Sequence, residues 1–154
     1  MAAKEKRVLI SAVAVYKKAG NGRTYWFLVK HGNDPDWQLP KVAVRRAESS
    51  VRASMRNMAE AGGMDIQVLE EAGRYGGTTT VNGNVLPKST IYYLAKFLNG
   101  GEVLAFDDSS WFEYSNALKS LKTKSEKETF KNAQKLLKVY RKEKEQEEEA
   151  ETQA

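Results

Sequence analysis

Residues 37–64 read WQLPKVAVRRAESSVRASMRNMAEAGGM. The opening Trp37-Gln38-Leu39 is short and extended, and Pro40 ends it by fixing φ and removing a backbone donor. Lys41, Arg45, Arg46, Arg52 and Arg56 then face Glu48 alone between positions 41 and 56. A stretch this basic suits a polyanion, either a polyphosphate nucleotide or a nucleic-acid backbone. The competing reading is that Arg45, Arg46 and Arg52 are simply solvated. Val51, Met55, Met58 and Ala59 recur at helical spacing, which predicts a helix over about 48–62 whose apolar stripe packs on a core. Gly62-Gly63 is the stop signal. On that helix positions 57, 60 and 61 stand at i, i+3 and i+4 and share one face, which reads Asn57, Glu60, Ala61.

Working outward, RVLISAVAVYK (7–17) is β-branched and apolar on both faces, the pattern of a buried strand. Ala19-Gly20-Asn21-Gly22 is a turn, and TYWFLVK (24–30) is the returning strand. Beyond the helix, strands are expected at about 65–71 and 73–80, with a hairpin turn at Asn82-Gly83-Asn84. STIYYLAKFL (89–98) is the strongest strand signal of the second half. Trp111-Phe112 is a short extended piece before a short helix near 114–121. Ser125-Glu126-Lys127-Glu128 reads as a capping box. It opens a helix with Phe130, Ala133, Leu137 and Tyr140 on one stripe. From Arg141 the chain is RKEKEQEEEAETQA, a charged run expected to fray or be disordered. The organisation is one domain over 1–140 and a tail over 141–154.

A chain of 154 residues is most simply one domain with a proper core. No apolar run approaches the ~18 residues needed to span a bilayer, so a membrane partner is not expected. The N-terminal MAAKEKRVLISAVAV has a basic start and an apolar run. It reads as the first strand rather than a leader, because Tyr16-Lys17-Lys18 follows without a small-residue cleavage site. There are no cysteines, which excludes disulfides, thiolate metal sites and Cys nucleophiles and fits a cytoplasmic protein. Residues 141–154 carry three basic and six acidic side chains, which leaves 22 basic against 14 acidic in the rest, a net of +8.

The central segment resembles a Nudix box: Gly, five residues, Glu, seven residues, then Arg-Glu-apolar-x-Glu-Glu-x-Gly-apolar. Glu48, Arg56, Met58, Glu60, Gly63 and Met64 match it without a gap. Val42 stands at the first Gly, Asn57 at the Glu after the Arg, and Ala61 at the second Glu of the pair. The likeness extends over roughly 7–140 and narrows to the diadenosine tetraphosphate hydrolase branch. Its Trp-x-x-Pro-Lys motif is matched by Trp37 to Lys41, and its later strand by Lys88 to Lys96. A Trp leading into an Ala-x-x-Leu helix is matched by Trp111 and Ala117 to Leu121. The resemblance implies an α/β (α+β) fold, an α/β/α sandwich with a mixed sheet.

In that family the carboxylates at positions 57, 60 and 61 hold magnesium or manganese, hard cations that favour oxygen ligands. The metals offset phosphate charge and activate a water against a nucleoside diphosphate linkage. Here that face falls from three formal negative charges to one. The resemblance makes Glu60, Glu48 and Arg56 the catalytic candidates, with Glu48 and Arg56 bracing loop to helix. It gives Lys41 and Lys88 as phosphate contacts, and Tyr92 or Tyr93 as facing nucleotide or core, only one of them toward each side. The usual base-stacking aromatic is absent from Thr78-Thr79-Thr80-Val81, and Tyr75 is the candidate substitute. Asp107 and Asp108 fall where active members supply a further acidic ligand, so Glu60, Asp107 and Asp108 are the candidate metal set; their competing role is loop or cap. His31, the only His, reads as a surface residue at a strand end.

Three functions follow. The first is a protein that binds a nucleotide or polyphosphate, with hydrolysis reduced or lost and no cofactor required. The second is a metal-dependent pyrophosphohydrolase with a rearranged site, using magnesium or manganese. The third is a non-catalytic module with an RNA or protein partner in a ribonucleoprotein or protein assembly.

Overall fold

A computed structural model describes residues 7–100 and 108–153. The elements in chain order are β1 (Val8–Lys18), β2 (Thr24–Lys30), β3 (Lys41–Ala43), α1 (Ser50–Glu60), β4 (Met64–Val81), β5 (Asn84–Gly100), β6 (Asp108–Glu113), α2 (Tyr114–Ser120) and α3 (Lys124–Gln153). The strands form one mixed sheet in the order β4-β5-β1-β2-β6, with β3 also on β1. Only β1 and β5 run parallel, from Val8 opposite Lys88 to Tyr16 opposite Lys96. On its other edge β1 is shared: Ile10 to Ala12 pair with β3, and Tyr16 to Lys18 pair with β2.

Because side chains alternate along a strand, the sheet has two cores. Ala12, Ala14, Tyr16, Trp26, Leu28, Tyr92 and Leu94 meet Ala117, Leu121, Phe130, Ala133 and Leu137 of α2 and α3. Val13, Val15, Phe27, Val29, Ile91, Tyr93 and Ala95 meet Met58 of α1, with Val51 and Trp111 packed alongside. This is why β1 is apolar on both faces, and it makes the molecule an α/β/α sandwich. Helix α1 is also pinned by hydroxyls. Ser11 donates to the Ser50 carbonyl at 2.6 Å, bonds the Ser54 hydroxyl at 2.6 Å, and Ser50 Oγ bonds the Tyr93 hydroxyl.

Several expectations are corrected. The two strands expected at 65–71 and 73–80 are one strand, β4, with irregularities at Asp65/Ile66, Val68/Glu70 and Glu71/Gly73. Gly73 is not a break. A Cβ there would stand 2.9 Å from Thr129 Oγ1, so the glycine lets α3 pack onto a bulge. Helix α1 covers the whole apolar stripe and is two residues shorter at each end than the expected 48–62, with Ser49 as its cap accepting the Arg52 N–H at 3.1 Å. The cap of α3 is Thr123, not Ser125. Its hydroxyl accepts the Glu126 N–H at 3.3 Å, because Thr123 and Glu126 have the same cap spacing two residues earlier. Strand β3, unmarked by any periodicity, forms where Val42 pairs with Ser11. Residues 141–153, expected to fray, continue α3 as helix, and their Glu, Lys, Gln and Ala content has high helix propensity.

The β4–β5 turn is as expected. Asn82 (φ 50°) and Gly83 (φ 79°) take the left-handed pair that a two-residue hairpin loop requires. Residues 78–87 of this hairpin pair only with one another, beyond the point where β1 joins β5. No helix among the described residues is long and apolar enough to cross a membrane.

Candidate functional site

The loop after β3 and the start of α1 are held by one ion pair. Arg56 donates from Nε to Glu48 Oε2 at 2.8 Å and from Nη2 to Glu48 Oε1 at 3.0 Å. Glu48 Oε1 also accepts the Arg45 N–H at 3.0 Å, and Arg56 Nη2 donates to the Ala43 carbonyl at 3.2 Å. Ala47 sits between them at φ 64°, a left-handed conformation that costs an L-residue roughly 1–2 kcal/mol. The brace expected of Glu48 and Arg56 is therefore present, and Glu48 lies outside the helix.

The Arg56 hydrogen bonds, with the Arg45 N–H second, hold the Glu48 carboxyl down to about 2. A folded value below the unfolded ~4.3 means a contribution to stability that is complete above about pH 4 and lost as pH falls toward 2. The Glu48→Gln variant is therefore expected to show a flatter stability curve across that acid window. Urea midpoints at stepped pH check this, and curves that stay parallel to wild type would refute it.

Around the helix face, Asn57 is buried at 9% exposure and its amide donates to the Lys41 carbonyl at 3.4 Å. Glu60 is open to solvent, with Arg56 Nη1 at 3.9 Å and Arg45 Nη2 at 4.0 Å. Ala61 caps α1 through its backbone N–H to the Asn57 carbonyl. Val42 lies in a strand rather than a turn and is not among the residues with positive φ, so a β-branched side chain is at ease there. Asp108 begins β6 opposite Lys30, and its carboxylate accepts the Ser109 N–H at 2.9 Å. Asp107 lies outside the described residues.

Among the described residues, no three His, Asp or Glu side chains converge as a metal would require. The donor set at the helix face is one carboxylate beside two guanidiniums, and it does not fit a magnesium or manganese ion.

A cavity of about 370 Å³ lies on the α3 side of the sheet. Lys88, Thr90 and Tyr92 point into it from alternate positions of β5, and Lys41 enters from β3. Gln38, Thr79, Thr123, Ser125 and Glu126 complete most of its polar lining. Lys41 is already engaged. Its Nζ donates to Gln38 Oε1 and the Leu39 carbonyl, each at 3.1 Å, and makes a close ion pair with Glu126. Glu126 is 2% exposed and also accepts the Leu39 N–H at 3.3 Å. Burial pushes its carboxyl above the ordinary range, and Lys41 opposes that rise.

Tyr92 faces this cavity and Tyr93 faces α1, which settles their alternation. Burial pushes the Tyr92 hydroxyl well up, while a hydrogen bond with Ser125 pulls the other way. Tyr75 stands edge-on to Tyr92 at 5.9 Å and its hydroxyl reaches Glu128 at 3.5 Å, so it backs Tyr92 rather than lining the cavity. Sequence reasoning thus found Lys41, Lys88 and Tyr92 together. It missed Glu126, read only as part of a helix start, along with Gln38, Thr90, Thr123 and Ser125. The one available signal was the acidic residue at Thr123 plus three, which a capping box also explains.

No family model matches the sequence, and no curated protein matches it. Solved structures do. The architecture is the Nudix fold, shared with a Nudix hydrolase from Nitrosomonas europaea at TM-score 0.64 and 14% identity, over 82% of this chain and 88% of that one. A diadenosine tetraphosphate hydrolase from C. elegans matches at TM-score 0.66 and 22% identity, over 86% of this chain and 99% of that one. The NUDIX domain of NrtR from Shewanella oneidensis, solved with ADP ribose, matches at TM-score 0.63 and 17% identity, over 86% and 90% of the two chains.

Proposed function

We propose that this protein binds a nucleotide polyphosphate, of the diadenosine polyphosphate kind, and has lost the hydrolysis its fold is associated with. The observation that carries the reading is the α1 face. Asn57 is turned onto the backbone, Glu60 lies beside two arginines, and Ala61 offers no ligand. Loss of even a supporting residue around a metal typically costs ~10–100-fold in affinity or activity, and here two direct ligands are gone. The cavity supports retained binding, because Lys88 lines it, Tyr92 offers a ring, and four hydroxyl-bearing threonines and serines line it. The ligand is a small molecule, the setting cytoplasmic, and no metal is required.

The test pairs hydrolysis with binding. Diadenosine tetraphosphate, nucleoside triphosphates, sugar nucleotides and capped RNA are each incubated with the protein in magnesium and in manganese, and thermal shifts are read in parallel. A ligand at about 100 times its Kd adds about 2.7 kcal/mol to apparent stability, a rise of roughly 5–10 °C in a domain of this size. The expected result is such a rise for at least one polyphosphate, its loss in Lys88→Ala, and no product. Metal-dependent turnover that Glu60→Gln abolishes would replace this reading with that of a working pyrophosphohydrolase.

A further inference from the structure

We propose that Arg45, backed by Arg56, supplies the positive charge that a divalent cation provides in a metal-dependent site, so that the polyphosphate is bound without metal. The inference rests on the nucleotide-binding reading and adds how the phosphates are held. Both guanidiniums approach the same Glu60 carboxylate, at 4.0 and 3.9 Å. That carboxylate is the one remaining acid of the three-position face. A cation arriving there meets two guanidiniums beside a single carboxylate, which disfavours it.

The two arginines differ in commitment. Arg56 is 16% exposed and spends its fork on Glu48, so it acts as a fixed charge. Arg45 is 65% exposed at the side chain, while its backbone N–H is tied to Glu48. Its root is held and its tip is available. The Arg45–Glu60 contact is an exposed pair, weak and screened by salt. A phosphate chain carries more charge and matches the planar guanidinium with paired hydrogen bonds, so it displaces Glu60.

Strand β3 connects this site with the cavity. Lys41 belongs to the cavity lining and its carbonyl receives the Asn57 amide of the α1 face. Arg45 comes four positions after Lys41, at most about 14 Å of extended chain. Within the cavity Lys41 is neutralised by Glu126, which leaves Lys88 as the other cation of the lining. A ligand that reaches from Lys88 in the cavity to Arg45 needs several phosphates in a row.

Calorimetric titration of diadenosine tetraphosphate into the full chain, once in EDTA and once in millimolar magnesium, tests this. Binding in EDTA is expected to equal or exceed binding in magnesium, which competes for the phosphates. Arg45→Ala is expected to weaken binding about five- to tenfold in EDTA, the range of a charge-assisted contact at a partly exposed site. Glu60→Gln gives the opposite sign, tightening binding about two- to fivefold by removing a competing carboxylate. Binding that requires magnesium, or that Glu60→Gln weakens, overturns the inference while leaving nucleotide binding intact. Absence of binding in both buffers overturns the nucleotide reading itself.

Discussion

Glu126→Ala is expected to lower the unfolding free energy by about 3 kcal/mol. Removing one member of a buried ion pair strands the other, and ~3–5 kcal/mol is the usual cost. The lower end applies because Lys41 keeps 23% of its side-chain exposure and two further acceptors, Gln38 Oε1 and the Leu39 carbonyl. The substitution also leaves the buried Leu39 N–H without its acceptor. Glu126→Gln restores an acceptor without charge and is expected to recover more than half of the loss. The sign with pH is set by the raised carboxyl. A folded value above the unfolded ~4.3 gives a contribution that is present at low pH and lost as pH rises through the folded value. The alanine and wild-type stabilities are compared by urea unfolding at pH 7; a difference below about 1 kcal/mol would show that the pair is not the anchor of α3.

Phe130→Ala is expected to cost about 3–5 kcal/mol, lowering the melting temperature by roughly 10 °C. Phe130 is fully buried and packs edge-on against Trp26 at 5.0 Å and stacked on Tyr114 at 5.1 Å. It joins three separate elements, α3, β2 and α2, so no single one can collapse to fill the void. Phe130→Leu keeps most of the volume and is expected to lose under about 1.5 kcal/mol. Thermal melts of both variants check this, and similar losses for the two would show that ring packing is not what holds α3.

Much of this architecture was legible because its signals are local. The two-sided apolar run of β1, the Asn82-Gly83 turn and the Phe130 to Leu137 stripe each follow from a period or a backbone requirement. The failures share another cause. The stretch 65–80 reads as two strands because the packing of Gly73 against Thr129, which comes 56 positions later, is invisible in a window. Val42 looked out of place because its partner, Ser11, lies on another strand. Of the site, the cations and Tyr92 were legible through motif spacing. Glu126 was not, since its part depends on where a helix start comes to rest against Lys41. Of the candidate metal set Asp107 lies outside the described residues, and Arg45 and Arg56 stand beside Glu60, the one carboxylate on the helix face.

The overhang of the β4–β5 hairpin bears on timing. Thr79 lines the cavity from a stretch whose backbone bonds are all internal to the hairpin, with Val85 70% exposed nearby. Separating those strands costs only a local opening, not the loss of the two-layer core. The wall over Thr79 is therefore expected to open more often than the domain unfolds, which hydrogen exchange at 78–87 against the core strands checks.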